Sequence, residues 1–276
     1  MKPTEIKQAL DMVGGRANKR LGQHFLIDKT VLQTIIQAAD IKPGDVVLEI
    51  GPGLGVLTRA LLDQGAEIMA IEQDRRFVEY LKSLTMEHGT RNINIIHGDA
   101  AIVHWHELIG ERPWKFVSNL PYGITSLALR KALWAPKPPN NVVVLVQREV
   151  GERIVAKRGK TSLLSLMAAL AAESSRIVKR VPAGCFYPAP QVESVVLQIV
   201  PMPWAERVKR WGMNPEKIME VAKLGFAHPR KLLRSNLSLA IGSSLLSKIG
   251  LDEKIRAEDL SPDDWAHLAR AISGER

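Results

Sequence analysis

The chain has a single cysteine, Cys185, among 276 residues. One thiol excludes an intrachain disulfide framework and a cysteine-built zinc site, and it suits a reducing cytoplasm. Long apolar runs are missing too. No stretch reaches the roughly 20 residues of a membrane-spanning helix, and the first residues lack the apolar core of a secretion signal. Negative charge is in deficit, with 29 acidic side chains against 38 lysines and arginines, a net charge of +9 and a pI near 9.7. That balance says nothing of fold, but it favours a polyanionic partner such as nucleic acid. What is present is a 46% hydrophobic composition, enough to bury the core of one large domain and a smaller one.

The organising stretch is VVLEIGPGLGVLT, residues 46–58. Its apolar, β-branched start predicts a buried strand, its glycines a tight turn, and the spacing of Val56, Leu57, Ala60, Leu61 and Leu62 a helix. Strand, glycine loop and helix open the ligand crevice of a doubly wound α/β domain. Gly51 and Gly53 allow close approach of the backbone to a ligand. A dinucleotide fingerprint needs glycine or alanine where Val56 stands. The GxGxG spacing of Gly51, Gly53 and Gly55 resembles that of S-adenosylmethionine-dependent methyltransferases.

Further strands are expected at 67–71, 93–97, 115–118 and 142–146, with a helix capped by Asp28 that turns Val31, Leu32, Ile35 and Ile36 inward and another at 75–88. Glu72, 21 residues beyond Gly51, falls at the end of the second strand, where a carboxylate can accept both hydroxyls of an adenosine ribose. Asp99 follows the third strand and is placed both to cap a helix and to meet an adenine edge. After the fourth strand comes Asn119-Leu120-Pro121-Tyr122. The exocyclic amine of adenine is a poor nucleophile because its lone pair is delocalised into the ring. Two acceptors, the Asn119 side-chain oxygen and the Leu120 carbonyl, can draw that pair out of conjugation. Pro121 stiffens the backbone, and Tyr122 offers a face to an extruded base. Phe186, in the proline-rich FYPAPQVES segment, is the candidate second ring of a stacking sandwich.

A helix at 162–172 and a last strand pair at 176–181 and 192–200 are expected before the pattern changes at Pro201. Helices at 204–211, 215–226, 230–240 and 262–272 then dominate. The division reads as a Rossmann-like domain, 1–200, with a basic arm, and an all-helical domain, 201–276. Arg16, Lys19 and Arg20, the Lys157-Arg158 loop, and Arg230, Lys231 and Arg234 are the candidate phosphate contacts.

KRLGQHFLID (19–28), EIGPGLGVLT (49–58), Glu72, Asp99, NLPY (119–122), FYPAPQVES (186–194) and PRKLLRSNL (229–237) stand in one order along the chain. In that order they resemble the ribosomal RNA adenine N6,N6-dimethyltransferase family, of the bacterial KsgA type, over nearly the whole length. The resemblance implies S-adenosylmethionine as cofactor, held by His24, Leu26, Gly51, Gly53, Glu72, Asp99 and Asn119. It also implies a target of two adjacent adenines in a hairpin near the 3′ end of 16S rRNA, dimethylated in the pre-small subunit. A cytoplasmic monomer is the default expectation, and an electrophilic sulfonium methyl needs no metal. Departures from the family pattern are His24, where many bacterial members have Asn, the run Lys160-Thr161-Ser162 in place of a Tyr-Gly pair, and Pro229-Arg230-Lys231 in place of a double arginine before lysine. The rival readings are a 23S rRNA methyltransferase of the macrolide-resistance type and a non-catalytic assembly factor. A nicotinamide-dependent oxidoreductase is disfavoured by Val56 and NLPY.

Overall fold

A computed structural model describes residues 1–15, 22–87, 92–156, 161–238 and 245–274. The elements, in chain order, begin with α1 (Pro3–Met12), β1 (Phe25–Leu26), α2 (Lys29–Ala39), β2 (Val46–Ile50), α3 (Val56–Leu62) and β3 (Glu67–Glu72). They continue with α4 (Arg75–Glu87), β4 (Ile93–His97), α5 (Trp105–Ile109), β5 (Trp114–Asn119), α6 (Thr125–Leu133) and β6 (Asn141–Gln147). Then come α7 (Arg148–Ile154), α8 (Leu163–Ala171), β7 (Ala172–Val181), β8 (Phe186–Tyr187) and β9 (Ser194–Pro201). The tail holds α9 (Trp204–Trp211), α10 (Pro215–Gly225), α11 (Leu233–Asn236), α12 (Leu245–Lys248) and α13 (Pro262–Ser273). None of the described helices is long and apolar enough to cross a membrane.

Seven strands form one sheet in the order β4-β3-β2-β5-β6-β9-β7. The first five are parallel, and β9 returns antiparallel to β6. All five residues of β2 are buried, as expected of a strand covered on both faces. On one face, Val31 and Ile35 of α2 and Leu57 and Leu61 of α3 pack with Val47, Ile68, Val117, Val143 and Leu145. On the other, Phe116 meets the ring of Trp105 at 5.6 Å. The Asp28 carboxylate accepts the Val31 N–H at 2.8 Å and caps α2. This is a Rossmann-like α/β fold, and its strand order reverses between β2 and β5, the point where such sheets open a crevice.

The chain forms two compact units, Met1–Gly151 with Arg176–Pro201, and Glu152–Ser175 with Met202–Arg276. The linear division at residue 201 is therefore corrected in one segment. The reason lies in α8, whose Leu166, Met167, Leu170 and Ala171 are buried. That face packs on α9, α10 and α13, and the Trp211 indole donates to the Leu170 carbonyl at 3.0 Å. A second correction concerns the tail motif. Within the described part of the expected 230–240 helix, residues 230–238, the chain turns through Lys231, whose N–H donates to His228 O, and only Leu233–Asn236 is helical. The Asn236 side chain donates to the Gly225 and His228 carbonyls, holding that turn in place of a longer helix.

Trp265 anchors this second unit, fully buried and stacked on Phe226 at 5.4 Å. Gly225 leaves it room: a Cβ there would lie 2.4 Å from the indole. Helix propensity alone makes Gly225→Ala stabilising by up to about 1 kcal/mol. Overpacking against Trp265 opposes this by about 1–3 kcal/mol, so the substitution is expected to lower the unfolding midpoint in urea. A raised midpoint would contradict the packing described.

Candidate active site

The carboxyl edge of the parallel sheet keeps its hydrogen-bond ladder going one residue past the strands. Gly51 N–H donates to Ile71 O, Gly98 N–H to Glu72 O, and Leu120 N–H to Leu145 O, at 2.9, 2.9 and 3.2 Å. The Ser118 hydroxyl also donates to Ile50 O at 2.6 Å, tying the ends of β5 and β2. Four loops thus leave the sheet in fixed register around a cavity of about 360 Å³, a volume suited to a nucleoside-sized ligand.

Of the residues expected at the site, His24, Leu26, Gly51, Gly53, Glu72, Asp99, Asn119, Leu120, Pro121 and Tyr122 all line this cavity. Gly51 has a φ of +68°, and a Cβ on it would lie 2.9 Å from the Pro121 ring. Glycine is required there by both counts, and the contact brings the glycine loop against the NLPY segment. Glu72 accepts the Gly53 N–H at 3.0 Å and the Asp74 N–H at 2.8 Å. Burial holds its carboxyl above the ordinary range, opposed in part by those N–H groups.

Asn119 is the last residue of β5, paired with Leu145, one position further into the strand than expected. Its side-chain nitrogen donates to the His24 carbonyl at 3.1 Å. A carbonyl can only accept, so this bond sets the carboxamide's orientation and keeps its oxygen as the acceptor for a ligand. The His24 ring stacks on Tyr122 with centroids 5.8 Å apart and planes at 25°. Its Nδ1–H donates to Pro188 O at 2.7 Å. The Tyr122 hydroxyl bonds Ser194 at 2.8 Å, and burial raises its pKa.

Phe186 is corrected. It is 3% exposed, packs in the core with Leu26 and Val31, and does not line the cavity. Pairing of Phe186 with Leu26 in the small β1–β8 sheet turns its ring inward, and the ring against Tyr122 is that of His24. Arg230, Lys231 and Arg234 are exposed, with Arg234 3.8 Å from Glu253. Arg16, Lys19, Arg20, Lys157 and Arg158 lie outside the described residues.

Glu49 is a site residue the sequence reading missed, although one acid within an apolar strand was the signal available. It lines the cavity, is 2% exposed, and accepts the Thr58 hydroxyl at 2.7 Å. Burial, reinforced by the Glu72 carboxyl, raises its pKa to about 8. Three carboxyl side chains, Glu49, Glu72 and Asp99, therefore line the cavity, and no lysine or arginine does among the described residues. Such a lining fits a neutral or cationic ligand and leaves nothing to neutralise a pyrophosphate.

A profile of the ribosomal RNA adenine dimethylase family matches residues 14–273. The chain belongs to this family. A relative named ribosomal RNA small subunit methyltransferase A, from Dehalococcoides mccartyi strain CBDB1, is 39% identical over 99% of this chain and 95% of its own. A protein of the same name from Phenylobacterium zucineum is 37% identical over 98% and 93%. Among solved structures, a dimethyladenosine transferase from Plasmodium falciparum superposes with a TM-score of 0.75 at 25% identity, covering 89% of this chain and 96% of that one. The 23S rRNA methyltransferase ErmE, at 24% identity, shares the fold with a TM-score of 0.69 over 90% of this chain and 99% of its own. As a family member, the protein is an rRNA-directed methyltransferase.

The raised Glu49 pKa has a sign for stability. Below the ordinary value of 4.5 the carboxyl is protonated folded or unfolded, and nothing changes. Between 4.5 and about 8 only the unfolded chain releases the proton, so stability falls with rising pH, by at most about 1.4 kcal/mol per unit. Glu49→Gln is expected to flatten this decline between pH 6 and 8, read from urea unfolding of the unliganded protein. An unchanged slope would mean that Glu49 titrates normally.

Proposed function

We propose that the protein is the S-adenosylmethionine-dependent enzyme that dimethylates the N6 amines of two adjacent adenosines in a hairpin near the 3′ end of 16S rRNA, acting as a cytoplasmic monomer on the pre-small subunit. The observation that carries this reading is the Asn119 carboxamide, whose nitrogen is engaged by His24 O while Leu120, Pro121 and Tyr122 follow it along the cavity wall. The acidic lining and the names of the two full-length relatives support it.

S-adenosylmethionine supplies, when bound, an electrophilic methyl group on a sulfonium sulfur. The residues lining the cavity fit it: Glu72 at the end of β3 would take the ribose hydroxyls, Asp99 after β4 the adenine edge, and the Gly51 backbone would allow close approach. Asn119 Oδ1 and the Leu120 carbonyl accept the two N–H bonds of the target amine, which localises its lone pair on nitrogen. Pro121, against Gly51, fixes the spacing between that amine and the glycine loop, so orientation contributes a large part of the rate. The stacked pair of His24 and Tyr122 forms the aromatic wall for an extruded base. Once alkylated, the amine is acidic enough to lose its proton to water, so the chain needs no general base. Arg230, Lys231 and Arg234 are the phosphate contacts in the helical unit, and Arg16, Lys19, Arg20, Lys157 and Arg158 those outside the described residues.

The test is transfer of labelled methyl groups into small subunits purified from a strain lacking the modification, with large subunits alongside. Dimethyladenine mapped near the 16S 3′ end is the expected product. Label in the large subunit would replace this reading with the resistance-type enzyme, and tight binding without label would replace it with an assembly factor. Asn119→Ala is expected to lower turnover about 10²–10³-fold while cofactor affinity stays within about threefold.

A further inference from the structure

Lys131 lies in the last turn of α6, two turns beyond the NLPY segment, and does not touch the cavity. Its ammonium group donates to three main-chain carbonyls: Ala100 O at 2.9 Å, Ala101 O at 3.0 Å and Val103 O at 2.9 Å. An ammonium has three N–H bonds, and three carbonyls of one loop converge on it. The ring of Trp105 covers the same group at 4.8 Å, and the Trp105 indole N–H adds a further donor to Ala100 O at 3.0 Å. Ala100 O is thus held twice. The loop tied down in this way carries Asp99, whose Oδ1 accepts the Ala101 N–H at 2.8 Å. Among the described residues, no carboxylate forms an ion pair with Lys131. Asp99 and desolvation act on it in opposite senses, burial lowering its pKa and the Asp99 charge raising it.

We propose that Lys131 is a positioning residue for cofactor selection: by gathering the carbonyls of residues 100, 101 and 103 it sets the Asp99 carboxylate at the adenine edge. It also ties that loop to the helix that continues from the catalytic tetrapeptide. This rests on the cofactor reading above and deepens it. An arginine cannot do the same work. A planar guanidinium fork sends its N–H bonds outward, whereas these carbonyls converge on a point.

The measurement is titration of S-adenosylhomocysteine and of its inosine analogue, in which the ring amine is replaced by a carbonyl, into the full-length protein. The parent is expected to prefer the adenosine ligand. In Lys131→Met that preference is expected to shrink about tenfold, the worth of roughly one charged hydrogen bond. Turnover at saturating cofactor should stay within about twofold. Lys131→Arg, which keeps the charge, is expected to shift the preference in the same direction, and it carries the test if Lys131→Met does not fold. A lysine with only a structural role would lower the melting temperature and leave the ratio alone; that result overturns the proposal while leaving the cofactor reading intact. A parent that binds neither ligand would overturn the cofactor reading, and this inference with it.

Discussion

The site depends on one constraint, the register of the parallel ladder at its carboxyl edge. Each backbone group there must find a partner, and the sheet satisfies this by extending pairing to Gly51, Gly98 and Leu120. The residues immediately around those positions are the ones that face the cavity. Glu72 sits at the last pair of β3 with β4, opposite His97, and Asn119 at the last pair of β5 with β6. Neither can shift without breaking a ladder bond, so both acceptors are held by the same force that holds the sheet together. This is the rigid-element placement that precise positioning of a reacting atom requires.

Charge then decides what the cavity accepts. The protein as a whole carries +9, yet the cavity lining holds three carboxyl side chains and no lysine or arginine among the described residues. The two facts address different ligands. The basic balance suits a polyanion at long range, while the cavity lining suits a neutral or cationic ligand. Within the cavity burial raises the pKa of two carboxyls. Glu49, supported by the Thr58 hydroxyl, is pushed up to about 8, and Glu72 is also raised, with backbone N–H groups opposing the shift in part.

The strands and most long helices were legible because burial on both sheet faces writes continuous apolar runs, as in Val142 to Val146, and amphipathic period writes helices such as α9 and α13. The positions of Glu72, Asp99 and Asn119 at the strand ends were legible through their spacing from those runs and through the motifs of the resemblance. Less could be read where tertiary contacts overrule a local pattern. Phe186 looked like an exposed ring in a stiff loop, but pairing with Leu26 turns it into the core. The pattern over 230–240 reads as one helix, but among the described residues 230–238 Asn236 binds the carbonyls of Gly225 and His228 and one short turn, Leu233–Asn236, is helical. Helix α8 reads as core in any case; which core it joins is set by partners such as Trp211, about forty residues away. Lys131 had no local signal at all, since its role is defined by three carbonyls from another loop.

The three motifs that lie far apart in the chain make sense as one mechanical unit. Residues 22–26, the NLPY segment and the FYPAPQVES segment meet at His24, Tyr122 and Ser194. The His24 main chain orients Asn119, its side chain is held by Pro188 O, and its ring lies on Tyr122. Tyr122 in turn is held by Ser194, while β1 pairs with β8 to bring the first and last segments together. Each contact is worth only about 0.5–1.5 kcal/mol by itself. Together they close a loop of constraints around the Asn119 oxygen, whose direct tie is the main-chain carbonyl of His24. Histidine at position 24 satisfies the ring-dependent part of this unit through Nδ1 and its aromatic face. The part that orients Asn119 needs only a main-chain carbonyl, which any residue at that position supplies. A departure from asparagine there therefore leaves the chemistry of the acceptor in place and changes only the wall on which a base would rest.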